Sequence, residues 1–264
     1  MSGKVRAIER LLNENIEFID TAGNIYLNSP AAYILIRGKH RPKEKLSSPS
    51  QITFNTLKLI YILLKSPSIL EASPKELADA AGVTAGTANN TLKNLYKLGY
   101  LQRQREGSYR INNYIKLLER WEMGYAESLR PKLLLETFTP AGGRRFSEVA
   151  ESIIQLAKED GFLIGGELGA ALATSYLHPQ RATLHVADNA RLIGIKLKLK
   201  PSPQGEIIFL QQFGIQNAWN YNQPEPIADP LLIHAELLIE NDDRLRETAE
   251  RLFTTYIEDR QKNA

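Results

Sequence analysis

Ser73-Pro74-Lys75-Glu76, with Gly82 and Thr84 downstream, constrains the fold of this chain more than any other stretch. A Ser at the N-cap accepts from an amide that has no partner inside the helix. Pro at the first helical position sacrifices no bond, and Glu three residues past the cap reaches back to it. The helix so started runs from Pro74 to Ala81 and stops at Gly82, where a residue without Cβ takes the left-handed turn. A second helix begins after Thr84. Leu77, Ala78 and Ala81, Val83 in the turn, then Ala88, Leu92, Leu95 and Leu98 form one continuous apolar face, with alanines where the helices must cross closely.

The second helix leaves Thr84, Gly86, Thr87, Asn89, Asn90, Lys93, Asn94 and Lys97 outside, a face of short polar and basic groups with no carboxylate. Ordinary solvated faces mix in Glu and Asp. Thr and Asn hydrogen-bond base edges, Lys neutralises phosphates, and the free amides at Thr84 to Thr87 suit a phosphate. Leu101 to Arg105 and Ser108 to Ile111 alternate around Glu106-Gly107 as a short hairpin carrying Arg103, Arg105 and Arg110, placed to reach the backbone or the minor groove. The stretch Glu76 to Leu101 closely resembles the helix-turn-helix of bacterial winged-helix regulators, and the hairpin is then its wing.

Around this module the signals are plainer. Val5, Ile8, Leu11 and Leu12 space as a helix face; Glu17 to Ile19 and Ile25 to Leu27 flank Thr21 to Asn24 as a hairpin, and Ala32 to Ile36 adds a strand. Gly38 to Ser50 has the Pro, Ser and Lys content of an exposed linker, with a phosphate-touching basic arm as the alternative. Ile52, Leu57, Ile60, Tyr61 and Leu64 mark a helix before the motif. Tyr114, Leu117, Leu118, Trp121, Tyr125 and Leu129 mark one after it, an aromatic stripe that packs the module on its neighbour or on a second copy.

With 264 residues, 43% hydrophobic and 24% charged, the chain has the composition of a soluble two-unit protein. No apolar run reaches the ~18 residues that span a bilayer, so no membrane partner and a cytoplasmic location are expected. Zero cysteines exclude disulfides and thiolate sites, and four scattered histidines give no metal spacing, so no cofactor or metal is expected. The net charge of +3 divides unevenly, to about +8 over residues 1–132 and about −5 over the rest. The positive half is where a polyanion would bind.

After Pro131 helices and strands alternate: a turn at Gly142-Gly143, a helix from Phe146 to Lys158, a strand Phe162 to Ile164, a helix Glu167 to Tyr176, and strands Ala182 to Val186 and Glu206 to Leu210. Lys196 to Lys200 reads as an edge strand guarded by lysines, or as a second DNA contact. Two capped amphipathic helices close the chain, one after Asp229-Pro230 with Leu231, Leu232, Ala235, Leu238 and Ile239, the other after Asp242 or Asp243 with Leu245, Ala249, Leu252, Phe253, Tyr256 and Ile257. His178 and His185 have no nucleophile or fixed carboxylate nearby in sequence and read as surface or packed residues.

Two stretches, Ile164-Gly165-Gly166-Glu167-Leu168-Gly169-Ala170-Ala171 with Tyr176 to Val186, and Asp229 to Leu238 with Asp243 to Ala249, resemble the antitoxin of AbiE abortive-infection systems, a family of type IV toxin–antitoxin regulators. With the module in front, the resemblance spans about residues 50–257. It implies an N-terminal domain that binds inverted repeats in its own promoter, as a dimer if it pairs on them, and a C-terminal domain needed to counter a nucleotidyltransferase-like toxin. The order Gly-Gly, helix, strand also resembles the nucleotidyltransferase fold itself. Such enzymes hold Mg²⁺ on two carboxylates one residue apart, whereas Thr183-Leu184-His185-Val186-Ala187-Asp188 has no Asp-x-Asp pair, and Glu167 sits at a helix start where a carboxylate is favourable structurally. The expected protein is therefore α+β: a cap and linker over 1–45, a winged helix-turn-helix over 46–130, and a catalytically silent, degenerate nucleotidyltransferase-like α/β domain over 131–264. It is expected to be a repressor that binds double-stranded DNA. A free-standing ligand-responsive regulator and an active nucleotidyltransferase are the alternatives.

Overall fold

The computed structural model describes residues 9–20, 23–37, 52–105, 107–187, 190–214, 226–240 and 242–263. Val5 and Ile8 of the N-terminal stripe, the expected linker Gly38 to Ser50, Glu106 of the wing turn and Asp188 lie outside them. Two compact units divide the chain, Met1–Gln51 and Ile52–Ala264. In the first, residues 9–13 are helical and β1 (Phe18–Ile19), β2 (Ile25–Ser29) and β3 (Ala32–Ile36) form an antiparallel meander with Phe18 opposite Tyr26 and Asn28 opposite Tyr33. Asp20 closes the first turn, its carboxylate accepting from the Asn24 amide at 2.8 Å.

The second unit opens with the expected three helices. In α1 (Phe54–Lys65) seven residues are buried, and Thr53 caps it by accepting from Thr56 N. A 3₁₀ turn, Pro67–Glu71, leads to α2 (Pro74–Ala81). The Ser73–Glu76 capping box is complete and Gly82 ends the helix at φ +61°. α3 (Ala85–Lys97) is followed by β4 (Leu101–Arg103) and β5 (Tyr109–Ile111), paired antiparallel with Arg103 opposite Tyr109. The wing strands are thus shorter than their alternation suggests. Gln104 N donates to Ser108 O at 2.9 Å, which closes the turn early and leaves Arg105 in it. Leu98 is also not core: it ends α3 half-exposed, because the chain turns away at Gly99.

The aromatic stripe is core, as its spacing suggests. α4 (Tyr114–Gly124) continues through a π turn, Tyr125–Leu129, into α5 (Arg130–Leu133), and Tyr114, Leu117, Leu118, Trp121, Tyr125 and Leu129 are all buried. The π turn ends two residues before Pro131, where the missing N–H interrupts regular helical bonding. Tyr114 donates to Leu64 O at 2.9 Å and Trp121 Nε1 to Leu57 O at 3.1 Å, so α4 is hydrogen-bonded along the length of α1.

Beyond α5 lies a five-stranded mixed sheet, ordered β7 (Leu163–Gly165), β8 (Ala182–Val186), β10 (Ile207–Gln211), β6 (Leu134–Pro140), β9 (Leu199–Pro201). Only β8 and β10 run parallel, with Leu184 opposite Phe209. The helices are α6 (Phe146–Asp160), α7 (Gly166–Thr174), α8 (Ala190–Lys196), α9 (Pro230–Ile239) and α10 (Asp243–Tyr256). Successive residues of each strand serve different cores, as the pleat requires: Ile164, Leu184 and Phe209 pack with Val149 and Ile153 of α6, and Leu163 and Leu210 pack with α9 and α10. The second of these cores is continuous with that of α1–α4.

Three sequence readings need correction here. β6 was not expected. Lys196–Lys200 is not one strand, since Lys196 ends α8, Lys198 takes φ +52°, and only Leu199–Pro201 pairs, at the sheet edge. α9 is not amphipathic: Pro230 to Leu237 are all buried, including His234 and Glu236, while Leu238 is half-exposed. A helix buried on all sides belongs inside a large core rather than on its surface. No helix among the described residues is long and apolar enough to cross a membrane.

The end of the sheet touches the helix-turn-helix directly. A Cβ on Gly214, just past β10, would lie 2.6 Å from Ala80 O in α2, and its φ is +57°. Gly214→Ala is expected to cost about 2–4 kcal/mol, from left-handed strain plus overpacking. Gly99→Ala, with φ +79° and nothing within 4 Å, is expected to cost only the strain, about 1–2 kcal/mol. Urea unfolding of the two variants checks this, and equal losses would contradict the contact.

Candidate nucleic-acid interface

Local chemistry sets the position of α3. Thr84 Oγ1 accepts from Thr87 N at 3.2 Å and lies 2.9 Å from Thr87 Oγ1, so the two hydroxyls are joined in the cap. Gly82 N–H returns to the Ala78 and Asp79 carbonyls, which turns the chain between α2 and α3, and Lys58 Nζ of α1 donates to Gly82 O at 3.3 Å. Burial holds the Lys58 ammonium below its ordinary pKa. Ala88, Thr91, Leu92 and Leu95 anchor the inner face.

The outer face is what periodicity predicts. Asn89, Asn90, Lys93, Asn94 and Lys97 are exposed, with positions 89, 93 and 97 on one row and 90 and 94 on the next. Among the described residues no side-chain hydrogen bond or ion pair engages these five. Thr87 is half-buried, while Ala85 and Gly86 put small groups at the helix start; a Cβ on Gly86 would meet nothing within 4 Å. With the Thr87 amide taken by the cap, the Ala85 and Gly86 amides are the ones left at the start of α3 for an approaching anion, and the side chains beside them are neutral or positive.

Beside α3 stands the wing, with Arg103, Arg105 and Arg110 exposed. Arg103 Nε donates to Gly107 O at 3.4 Å, which leans it along the turn. Helix and wing are joined by a contact that sequence reasoning missed: the half-exposed Tyr96 ring lies 6.0 Å from that of Tyr109, tilted by 55°. Both tyrosines were present in the motif. Nothing in their own neighbourhood announces the pairing, which follows only once β5 is placed against α3.

The structure therefore brings Thr84, Thr87, Asn89, Asn90, Lys93, Asn94 and Lys97 onto one helix and its cap, with Arg103, Arg105 and Arg110 on the adjoining hairpin. The other polar residues singled out in sequence lie elsewhere. His178 is exposed, and its carbonyl accepts from Arg244. His185 is fully buried on β8. Glu167 is buried at the start of α7 and accepts from Gln180 N and from Arg244 at 2.9 and 3.2 Å. No group of three or more His, Cys, Asp or Glu side chains suited to a metal occurs among the described residues.

No curated protein and no solved structure matches the chain. A family model does match, beginning at Arg110 in the second wing strand and ending at Glu258 just past α10. It takes in the whole mixed sheet and the buried helix α9. That model is described as transcriptional regulator, AbiEi antitoxin of type IV toxin–antitoxin systems; it matches residues 110–258, more than half of the sequence, and the chain belongs to this family.

Proposed function

We propose that this chain is a double-stranded-DNA-binding repressor of its own promoter, the autoregulating antitoxin partner of a nucleotidyltransferase-like toxin. The observation that carries the reading is the carboxylate-free outer face of α3, flanked by three exposed arginines of the wing. In this reading α3 lies in the major groove. Thr87, Asn89, Asn90 and Asn94 meet base edges, Lys93 and Lys97 neutralise phosphates, and the amides after Thr84 add a backbone contact. Arg103, Arg105 and Arg110 hold the flanking backbone or enter the minor groove. A dimer on an inverted repeat doubles these contacts. The division of labour follows the sequence: residues 46–130 read DNA and 131–264 answer the partner.

The C-terminal sheet supports a degenerate, non-catalytic version of the nucleotidyltransferase arrangement. Gly165 pairs with Thr183 across β7 and β8, so the Gly-Gly turn faces the strand on which such enzymes carry their paired carboxylates. Thr183 and His185 occupy the two positions nearest that turn. Neither is a carboxylate, and the chain is accordingly not an enzyme in this reading.

Purified protein is expected to prefer the DNA immediately upstream of its own gene over a scrambled duplex, with log affinity falling linearly in log salt. Equal weak binding to both would sink the repressor reading. Lys93→Ala is expected to weaken binding to every duplex and to lower the salt slope by about 1, whereas Asn90→Ala is expected to cost about 1–3 kcal/mol on the specific site alone. The same titrations with each variant check both, and interchanged effects would mean that α3 lies the other way in the groove.

A further inference from the structure

The buried turn from β7 into α7 is built around a negatively charged group. Gly165 and Gly166 leave space that no other residue leaves: a Cβ on Gly165 would lie 2.6 Å from Glu236 Oε2 and 2.9 Å from His185 Nε2. A Cβ on Gly166, where φ is +58°, would lie 2.9 Å from Thr183 Oγ1 and 3.0 Å from Thr183 N. Into that space α9 projects the Glu236 carboxylate, which accepts from Gly166 N–H at 2.7 Å and from Tyr125 Oη at 2.8 Å. The nine-residue helix α7 directs its positive end at this carboxylate.

The surroundings offer more than one carboxylate uses. Arg130 Nε is buried without a hydrogen-bond partner. His185 is fully buried; its Nδ1 has no partner and its Nε2 lies 3.0 Å from Glu236 Oε1, outside hydrogen-bond alignment. Arg181 stands at the mouth, paired with Glu240 at 2.8 Å. An unmatched donor in a dry interior is costly unless some acceptor meets it. A tetrahedral oxyanion would meet the Gly166 amide, Arg130, His185 and the Thr183 hydroxyl together. We propose that the start of α7 is an anion-binding cradle for a phosphate group, held closed in this chain by its own Glu236 side chain. The cavity left beside the carboxylate is about 20 Å³, room for a water and not for phosphate.

Removing the side chain opens the cradle. Glu236→Ala protein is expected to gain about 3 °C or more in thermal midpoint from ~10 mM inorganic phosphate, relative to chloride at equal ionic strength. The wild type measures the general stabilisation that phosphate gives any fold. Glu236→Gln keeps the space filled and is expected to follow the wild type, and adding Arg130→Ala to Glu236→Ala is expected to abolish the gain. A parallel titration with a nucleoside triphosphate separates free phosphate from a phosphate ester, and a specific shift with either supports the cradle. A Glu236→Ala protein that responds to both no more than the wild type does overturns it. Should Glu236→Ala not refold in chloride, refolding in phosphate is the readout: recovery supports the cradle, and failure in both buffers while Glu236→Gln folds overturns it.

Discussion

The hydrogen bond from Tyr125 to Glu236 joins the helix that leaves the α1–α4 module to the buried helix α9, inside the apolar core that the two share. Tyr125 belongs to the helix that continues out of the winged module, whereas Glu236 lies in the buried helix α9 and also binds the first amide of α7. Behind Tyr125 the rings of Trp121 and Tyr61 follow at centroid distances of 5.2 and 5.7 Å, and Phe213, just past the last strand, meets Tyr61 at 5.2 Å. Burial alone would push the Glu236 carboxyl upward. His185, Arg130 and Tyr125 outweigh it and hold the group below the usual carboxylate range. Its stabilising contribution is therefore present above the unfolded-state value and is lost as the pH falls through the lower folded one.

A buried charge met by several donors favours one arrangement of its neighbours more than it adds net stability, because desolvation offsets much of the attraction. Here the neighbours so arranged are the helix that carries Tyr125 and the turn into α7. Asp229 and Arg260 apply the same logic nearby: the arginine makes two bonds to the carboxylate, at 2.9 and 3.2 Å, and Asp229 also caps α9. The α1–α4 module and the C-terminal half therefore share one core rather than meeting across a separate joint.

What could be read from the sequence was local. The Ser73–Glu76 box, the Thr84 cap, the left-handed Gly82, and the caps at Asp229 and Asp242 each act within a few residues, and each marks its element end. The outer face of α3 was legible for the same reason, since a 3.6-residue period and a lack of carboxylates suffice. The misreadings depend on distant partners. β6 becomes a strand through β9 and β10, about sixty residues or more away, and the polarity of α9 looks two-faced until helices and sheet surround it. The cradle was out of reach altogether, because it joins positions 125, 130, 166, 185 and 236, and none of these intervals has a helical or strand period.

These two kinds of site obey different rules. The α3 face takes no part in the core, so substitutions at Asn89, Asn90, Lys93 or Asn94 leave packing intact and fall within the small stability effects of ordinary surface positions. Under the proposed function, specificity there can drift while the fold stays put. At the α7 turn the reverse holds, because the groups that would grip an anion also close the core. A chain that had once used such a turn for a ligand would lose stability with the ligand unless a carboxylate of its own replaced it. Glu236 meets that requirement, and it also ties the turn to Tyr125 in the helix that leaves the α1–α4 module.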